Sequence, residues 1–351
     1  MKSSHIILAI ESSCDETSAS VIHDNQVLSN IISSQTFHST YGGVIPELAS
    51  RAHLSSISSI VQQALHTSGI GINDVSAIAV THQPGLAGAL LVGVSFAKGM
   101  ALRLGIPIIP INHIEGHLYS GCMEYPDIQF PCISLVVSGG HTSIFLVHSY
   151  ISYELLGSTK DDAAGEAFDK IGKMLHLDYP AGQKIDSLAQ LGNPKAYDFP
   201  RSMLHDGSYN FSFSGLKTSV KNFLQKQFKS QKPNQSELQD ICASVQMAII
   251  EVLTKKTIKA ARAHNVKWII VAGGVSANSG LRALLYNECK KFGIQTAIPR
   301  VDLCTDNAAM IGFLAEKKLD IYGNGPYSTF QFTVNSSALR ANHQFNKMQN
   351  I

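Results

Sequence analysis

The chain has 351 residues, 44% of them hydrophobic and 15% charged, which excludes a small one-core domain and a largely disordered polypeptide. A net charge of +2 excludes nucleic-acid binding through global charge, so any such partner must meet local basic patches. The six cysteines Cys14, Cys122, Cys132, Cys242, Cys289 and Cys304 show no CxxC spacing, which points to reduced thiols and a cytoplasmic location. The apolar run at residues 6–10 is too short for a signal peptide, and no run of 18 apolar residues predicts a transmembrane helix or a membrane partner.

In chain order, residues 5–34 predict strand, tight loop, strand, turn, strand. Residues 76–105 predict a strand running into a glycine turn and then a helix, and IPIIPI a further strand. The opening rhythm returns at CISLVVSGGH, TSIFLVHSY and ISYELLGST, a repeat at a spacing of roughly 125 residues that suggests two homologous lobes. A largely helical insertion spans about 160–265, with Ser236 and Gln239 as a capping box for a helix near 237–264. Ile241, Val245, Ile249, Val252 and Leu253 form its core face, and 229–236 is a polar loop. Residues 268–293 repeat the strand, glycine turn and helix. After Tyr327 the apolar pattern fades, and 340–351 reads as a loose tail.

Glycine turns at helix starts expose backbone N–H groups to phosphate, although a single such turn can equally just close a strand–helix connection. Two lobes with such turns facing a nucleotide cleft describe an α/β, actin-like ATPase (ASKHA) two-lobed fold with duplicated mixed-sheet domains. The first lobe is placed at 1–130, with about 322–340 packing back on it. The second is placed at 131–321 with its helical insertion.

The sharpest chemical signal is HIEGH, where His113 and His117 share one helix face and can reach one cation. Glu115 lies roughly 200° around the helix from His113, so the general base of a zinc peptidase is missing. Most such histidine pairs bind nothing, and two ligands do not complete a site. Asp306 in CTDNAAMIG is the candidate third ligand, its alternative being a plain helix cap. Two imidazoles and a carboxylate leave open positions and suit iron(II) or zinc. ESSCDET, with Asp15, is either a phosphate or metal loop or a solvated turn. VVSGGHT is either a ligand-approach loop or a hairpin turn. DDAAGEAFDK opens a helix with acids in its first turn. Lys217, Lys221, Lys226, Lys229 and Lys232 form a basic run that either meets an RNA backbone or is a solvated face.

Taken together and in order, ESSCDET, HIEGH, VVSGGHT, DDAAGEAFDK, FSFSGLKT, VAGGVSANSGLR and CTDNAAMIG resemble the TsaD family of tRNA adenosine threonylcarbamoyltransferases, formerly called O-sialoglycoprotein endopeptidases. The likeness covers residues 5–315, and its form is bacterial. It implies transfer of a threonylcarbamoyl group from threonylcarbamoyl-AMP to N6 of adenosine 37, in tRNAs reading codons that begin with A. It implies one divalent metal, iron(II) or alternatively zinc, on His113, His117 and Asp306. It implies substrate contacts at Val136, Val137, Ser138, Gly139, Gly140, Asp169, Gly182, Asp186 and Asn278, and Asp15 near the reacting groups. The implied partners are the tRNA anticodon loop, a TsaB-like paralogue and a TsaE-like P-loop ATPase. Where the family reads Tyr-Pro-Gly-Gly-Pro, this chain has Ala181 and Gln183 around Gly182, which alters that loop. The rival readings are a metallopeptidase using the histidine pair, an actin-fold small-molecule kinase and a non-catalytic scaffold.

Overall fold

The computed structural model describes residues 5–229 and 231–337. In chain order the first elements are β1 (Ile6–Glu11), β2 (Glu16–His23), β3 (Gln26–Ser34), α1 (Pro46–Ser68), β4 (Ala77–Gln83), α2 (Ala87–Leu104), β5 (Ile108–Asn112) and α3 (His113–Tyr119). Then come β6 (Cys132–Val137), β7 (Thr142–Ser149), β8 (Ser152–Ser158), α4 (Ala164–Met174), α5 (Gly182–Ala189), α6 (Ser214–Phe228) and α7 (Gln235–Ala263). The last are β9 (Trp268–Ala272), α8 (Ser279–Lys290), β10 (Gln295–Ala297) and α9 (Ala308–Tyr322).

The chain divides into two compact units, one of residues up to Met123 and from Asp306 onward, the other Glu124–Thr305. The sheet of the first unit has the order β3-β2-β1-β4-β5, and that of the second, read from its far edge, β8-β7-β6-β9-β10. In each, an antiparallel meander is followed by strands added in parallel to its first member. The repeat seen in the sequence is therefore a repeat of topology. The central strands β1, β6 and β9 are almost wholly apolar and buried because both of their faces are covered, as parallel pairing requires, with Glu11 and Ser134 as their buried polar exceptions.

In the first unit Leu8, Ile10, Val21, Ile78 and Val80 from the sheet pack with Ile57, Val61 and Val94 from α1 and α2. α2 is, among the described residues, the one helix long and apolar enough to cross a membrane. Its Ala89, Leu90, Gly93, Val94, Ala97 and Ala101 are buried, and Lys98 Nζ donates to the carbonyls of Phe330 (2.9 Å) and Phe332 (2.6 Å). Phe330, Phe332 and Val334, at alternate positions, pack on this core, so the apolar pattern does not end at Tyr327. The expected tail at 340–351 lies outside the described residues.

Two boundaries differ from the sequence reading. The first unit ends at Met123 and resumes at Asp306, so α9 belongs to it and not to the second lobe, because α9 lies across all five strands β1–β5. The N-cap of α7 is Asn234, not Ser236. Asn234 Oδ1 accepts the Glu237 N–H (3.0 Å), and Glu237 Oε2 accepts the Asn234 N–H (2.8 Å). The two cap pairs overlap in NQSELQ, and the one with a full negative charge in the first turn prevails. The predicted core face of α7 is buried throughout.

Candidate functional site

β5 runs directly into α3. Asn112 caps that helix, its Oδ1 accepting the N–H groups of Ile114 (2.8 Å) and Glu115 (3.2 Å). His113 therefore stands at the first helical position with His117 one turn on, and the two rings are 4.7 Å apart, edge to face. Asp306 arrives from the start of α9. Its Oδ1 is 3.1 Å from His117 Nε2 and 3.5 Å from His113 Nε2. The capping role falls instead to Asn307, whose Oδ1 accepts the Met310 N–H at 3.0 Å, so Asp306 is no mere cap. One ligand atom from each of the three lies within 4.8 Å of the others, and the cluster could hold a metal ion.

The surroundings fit such an ion. His113 Nδ1 is 3.1 Å from Glu11 Oε2 and 3.1 Å from Ser13 Oγ. Glu11 is wholly buried at the end of β1. Its Oε1 accepts the Ser13 N–H (2.6 Å), and its Oε2 accepts from Thr81 Oγ1 (2.5 Å). A carboxylate on Nδ1 places the ring proton there and leaves the Nε2 lone pair for a metal. Burial pushes the Glu11 carboxyl up, but His113 outweighs it and holds the group below its usual range. Burial drives the His113 imidazole down, but Asp306 and Glu11 outweigh that and hold it well above. Asp306 is held well below the ordinary carboxylate range, against burial, by His113 and His117. His117, lowered by burial, stays in the neutral form that ligates, and its buried Nδ1 has no partner among the described residues. Two carboxylates around two imidazoles call for positive charge, which a proton on His113 or a divalent cation can supply.

Glu115 faces elsewhere. Its Oε2 accepts from Lys318 Nζ of α9 at 2.6 Å, a buried pair that keeps the glutamate of HIEGH from serving as a base at the cluster. The loop between β1 and β2 lies beside Asp306. Glu16 is raised well above its usual range by burial, then by Asp306 and Asp15, while burial pushes the Cys14 thiol up. His53 of α1 fastens this loop, through Thr17 Oγ1 (2.8 Å) and the Cys14 carbonyl (2.9 Å). Asp15 is half-buried, and its carbonyl accepts the Gln35 N–H at 3.0 Å. Nothing in the sequence singles out Glu11 or His53 for these tasks except their neighbours.

The remaining predicted residues all lie in the second unit. Val136 and Val137 are inside β6 with fully buried side chains, so a ligand could meet them only through the backbone. The Ser138 N–H is spent on the His141 carbonyl (2.8 Å), while Gly139 and Gly140 are exposed. Two other elements press on this turn. A Cβ on Gly165 of α4 would lie 2.7 Å from the Ser138 carbonyl oxygen, and one on Gly273 would lie 2.5 Å from that of Val137. Gly273 has φ +88° and ψ 160°, a region essentially closed to other residues.

Asp169 accepts the Ala181 N–H at 2.7 Å and also bonds the Gly182 N–H, so it anchors the start of α5. Ala181 has φ −88° and packs its methyl against Gly172, so the departure from glycine is accommodated without strain. Asp186 takes the Ser279 N–H (2.9 Å) and Oγ (2.8 Å), and Asn278 caps α8 through the Leu281 N–H (2.9 Å). Gln246 of α7, which sequence reasoning missed, joins them. Its Nε2 donates to Asp186 (3.1 Å), and its Oε1 accepts from Asn278 Nδ2 (2.7 Å). Asp161 binds the N–H groups of Phe213 (2.8 Å) and Ser214 (3.2 Å), tying two motifs together at the start of α6. In the basic run, Lys217 pairs with Asp162 at 3.0 Å, whereas Lys221, Lys226, Lys229 and Lys232 are exposed.

Residues 26–313 match the family model described as TsaD: tRNA N6-adenosine threonylcarbamoyltransferase. The chain belongs to the TsaD family. TsaD proteins are acyltransferases that act on tRNA, and membership makes this chain one of them. It is 52% identical over 317 residues to a tRNA N6-adenosine threonylcarbamoyltransferase of Clostridium botulinum strain 657, covering 90% of this chain and 93% of that one. A relative of the same name from Geotalea uraniireducens is 52% identical over 308 residues, covering 87% and 89%. Among solved structures, full-length HypF in its phosphate- and nucleotide-bound form is similar with TM-score 0.61 at 12% identity, covering 91% of this chain and 56% of that one. Component A of the Acidaminococcus fermentans (R)-2-hydroxyglutaryl-CoA dehydratase is similar with TM-score 0.55 at 15% identity, covering 90% and 98%. At these identities the likeness speaks to fold alone, and that fold is the actin-like ATPase fold.

Proposed function

We propose that this TsaD protein takes the threonylcarbamoyl group from threonylcarbamoyl-AMP and places it on N6 of adenosine 37, in tRNAs reading codons that begin with A. The observation that carries the reading is the convergence of His113, His117 and Asp306 on a point that one cation can share. The ion proposed is iron(II), with zinc as the alternative, since both accept two imidazoles and a carboxylate. When bound, it supplies Lewis-acid polarisation of a donor oxygen.

The chain's own residues bind, orient and move one proton. The donor is a mixed anhydride, already activated, whereas the exocyclic amine of adenine is a weak nucleophile because its lone pair is delocalised into the ring. Positioning and proton removal therefore carry the catalysis. Gly139 and Gly140 offer backbone N–H groups to the donor, a task Ser138 cannot share while its own N–H serves the turn. Asp186, Asn278 and the Gly273-Gly274 turn hold the adenylate side, with Asp169 shaping the Gly182 turn. Asp15 accepts the amine proton. Asp15→Asn should lower turnover by about 10²–10⁴-fold while donor binding survives, and unchanged turnover would remove Asp15 from the reaction.

The proposed setting is the cytoplasm, with a TsaB-like paralogue and a TsaE-like P-loop ATPase. A peptidase reading is disfavoured because Glu115 is bound to Lys318. The test combines protein, partners, the adenylate-forming enzyme, threonine, bicarbonate, ATP and tRNA, with nucleosides read by mass spectrometry. Threonylcarbamoyladenosine is the expected product, and its absence with all components present would defeat the proposal.

A further inference from the structure

Along α7, one stripe of side chains faces α8 across a groove in the second unit. Two adjoining hollows of about 480 and 540 Å³ share Thr254, Lys255 and Glu288. The stripe begins at Met247, the residue after Gln246, which bonds Asp186 and Asn278. It ends at Arg262, roughly 22 Å further along the helix. Lys255, Lys259 and Arg262 line it at about one cation per helical turn, Lys255 sharing Glu251 and Lys259 donating to the Gly207 carbonyl beside the Tyr209 ring.

The groove's carboxylates are already matched. Glu251 accepts from Arg201 (3.0 Å) and Lys255 (2.5 Å), and Glu288 from Lys291 (2.6 Å). Two features ask for an anionic, ring-bearing ligand. Thr254, 1% exposed, lines both hollows, and its buried hydroxyl has no partner among the described residues. A phosphate oxygen accepts from such a hydroxyl. The Arg262 guanidinium lies 4.4 Å over the ring of Phe292, which is 46% exposed, and a guanidinium on an aromatic face makes a stacking surface for a base.

We propose that this groove is a docking track for the phosphate backbone of tRNA, leading away from the donor-binding residues. The proposal rests on the tRNA reading above, and it adds a surface distinct from the lysines of α6. An acidic protein partner would be served by scattered cations. The linear spacing, the unpartnered hydroxyl and the stacked guanidinium favour RNA.

The test measures binding of unmodified tRNA to the full-length protein across a salt series, together with steady-state kinetics. The double variant Lys259→Ala, Arg262→Ala should raise the tRNA Kd by about 10–100-fold and flatten the log Kd against log salt slope by about two. It should raise KM for tRNA while kcat and KM for the donor stay unchanged. Thr254→Val, which keeps the side chain's shape, should weaken tRNA binding in the same direction. Unchanged Kd and slope would overturn the proposal. So would a loss confined to binding of a protein partner, or a slope carried wholly by Lys221, Lys226, Lys229 and Lys232. Direct binding needs no product, so the groove is judged even if the wild-type protein makes no modified nucleoside, a result that would count against the function instead.

Discussion

Asp306→Ala should abolish both metal binding and transfer. The carboxylate would supply one of the three proposed ligands and is also the group that both imidazole Nε2 atoms face, at 3.5 and 3.1 Å. Without it, the two imidazoles of α3 would be left as the candidate ligands among the described residues. A metal site that loses a ligand weakens more than one that loses an outer partner, for which the typical cost is about 10–100-fold. Metal content by mass spectrometry should therefore drop from one ion per chain to a trace after gel filtration, and turnover should fall by at least about a hundredfold. Glu11→Gln gives the comparison. It keeps the volume of a fully buried side chain but loses the charge on His113 Nδ1, so affinity should fall within the 10–100-fold range while stoichiometry at saturating metal is preserved. Full metal content and full activity in Asp306→Ala would remove the cluster from the enzyme's chemistry.

Gly273→Ala should be among the most destabilising changes of a single methyl in the second unit. The backbone there has φ +88°, and the added Cβ would meet the Val137 carbonyl oxygen at 2.5 Å and the Ser138 Cβ at 3.2 Å. Backbone strain of this kind costs about 1–3 kcal/mol, and contact with a carbonyl held in a central strand has no cheap relief. A loss of about 3 kcal/mol would lower the melting temperature by roughly 6–12 °C for a unit of this size. At the neighbouring Gly274 an added Cβ would meet nothing within 4 Å, so Gly274→Ala should melt close to wild type. Calorimetry on the pair checks this, and equal melting points would show that the turn yields freely. Because Gly273 rests on the end of β6, at Val137 and next to the Ser138 turn, surviving Gly273→Ala protein should also bind the donor less tightly.

The fold was legible because its signals are local. Apolar runs, glycine turns and their recurrence mark the two sheets, and the spacing of His113 and His117 on one helix face needs no tertiary information. Asp306 was legible only as a candidate third ligand, since nothing near it in sequence separates a ligand from a cap. The structure gives the capping role to Asn307. Long-range partners were invisible for the same reason. Glu11 serves a histidine 102 positions away, and Gln246 bridges Asp186 and Asn278 across 60 and 32 positions. The burial of Val136 and Val137 was equally illegible, because a strand's partners cannot be read from its own residues.

The discontinuous first unit sets an order of events during synthesis. A ribosome releases β1–β5 and both histidines long before the aspartate that meets them in the folded unit, while the uninterrupted second unit emerges whole in between. Until residues 306–322 follow, the sheet lacks the helix that covers it, and the pair of imidazoles has no carboxylate partner from α9's threshold. A chain that stops short of residue 306 would therefore lack the carboxylate of the proposed metal cluster, whatever its two histidines do.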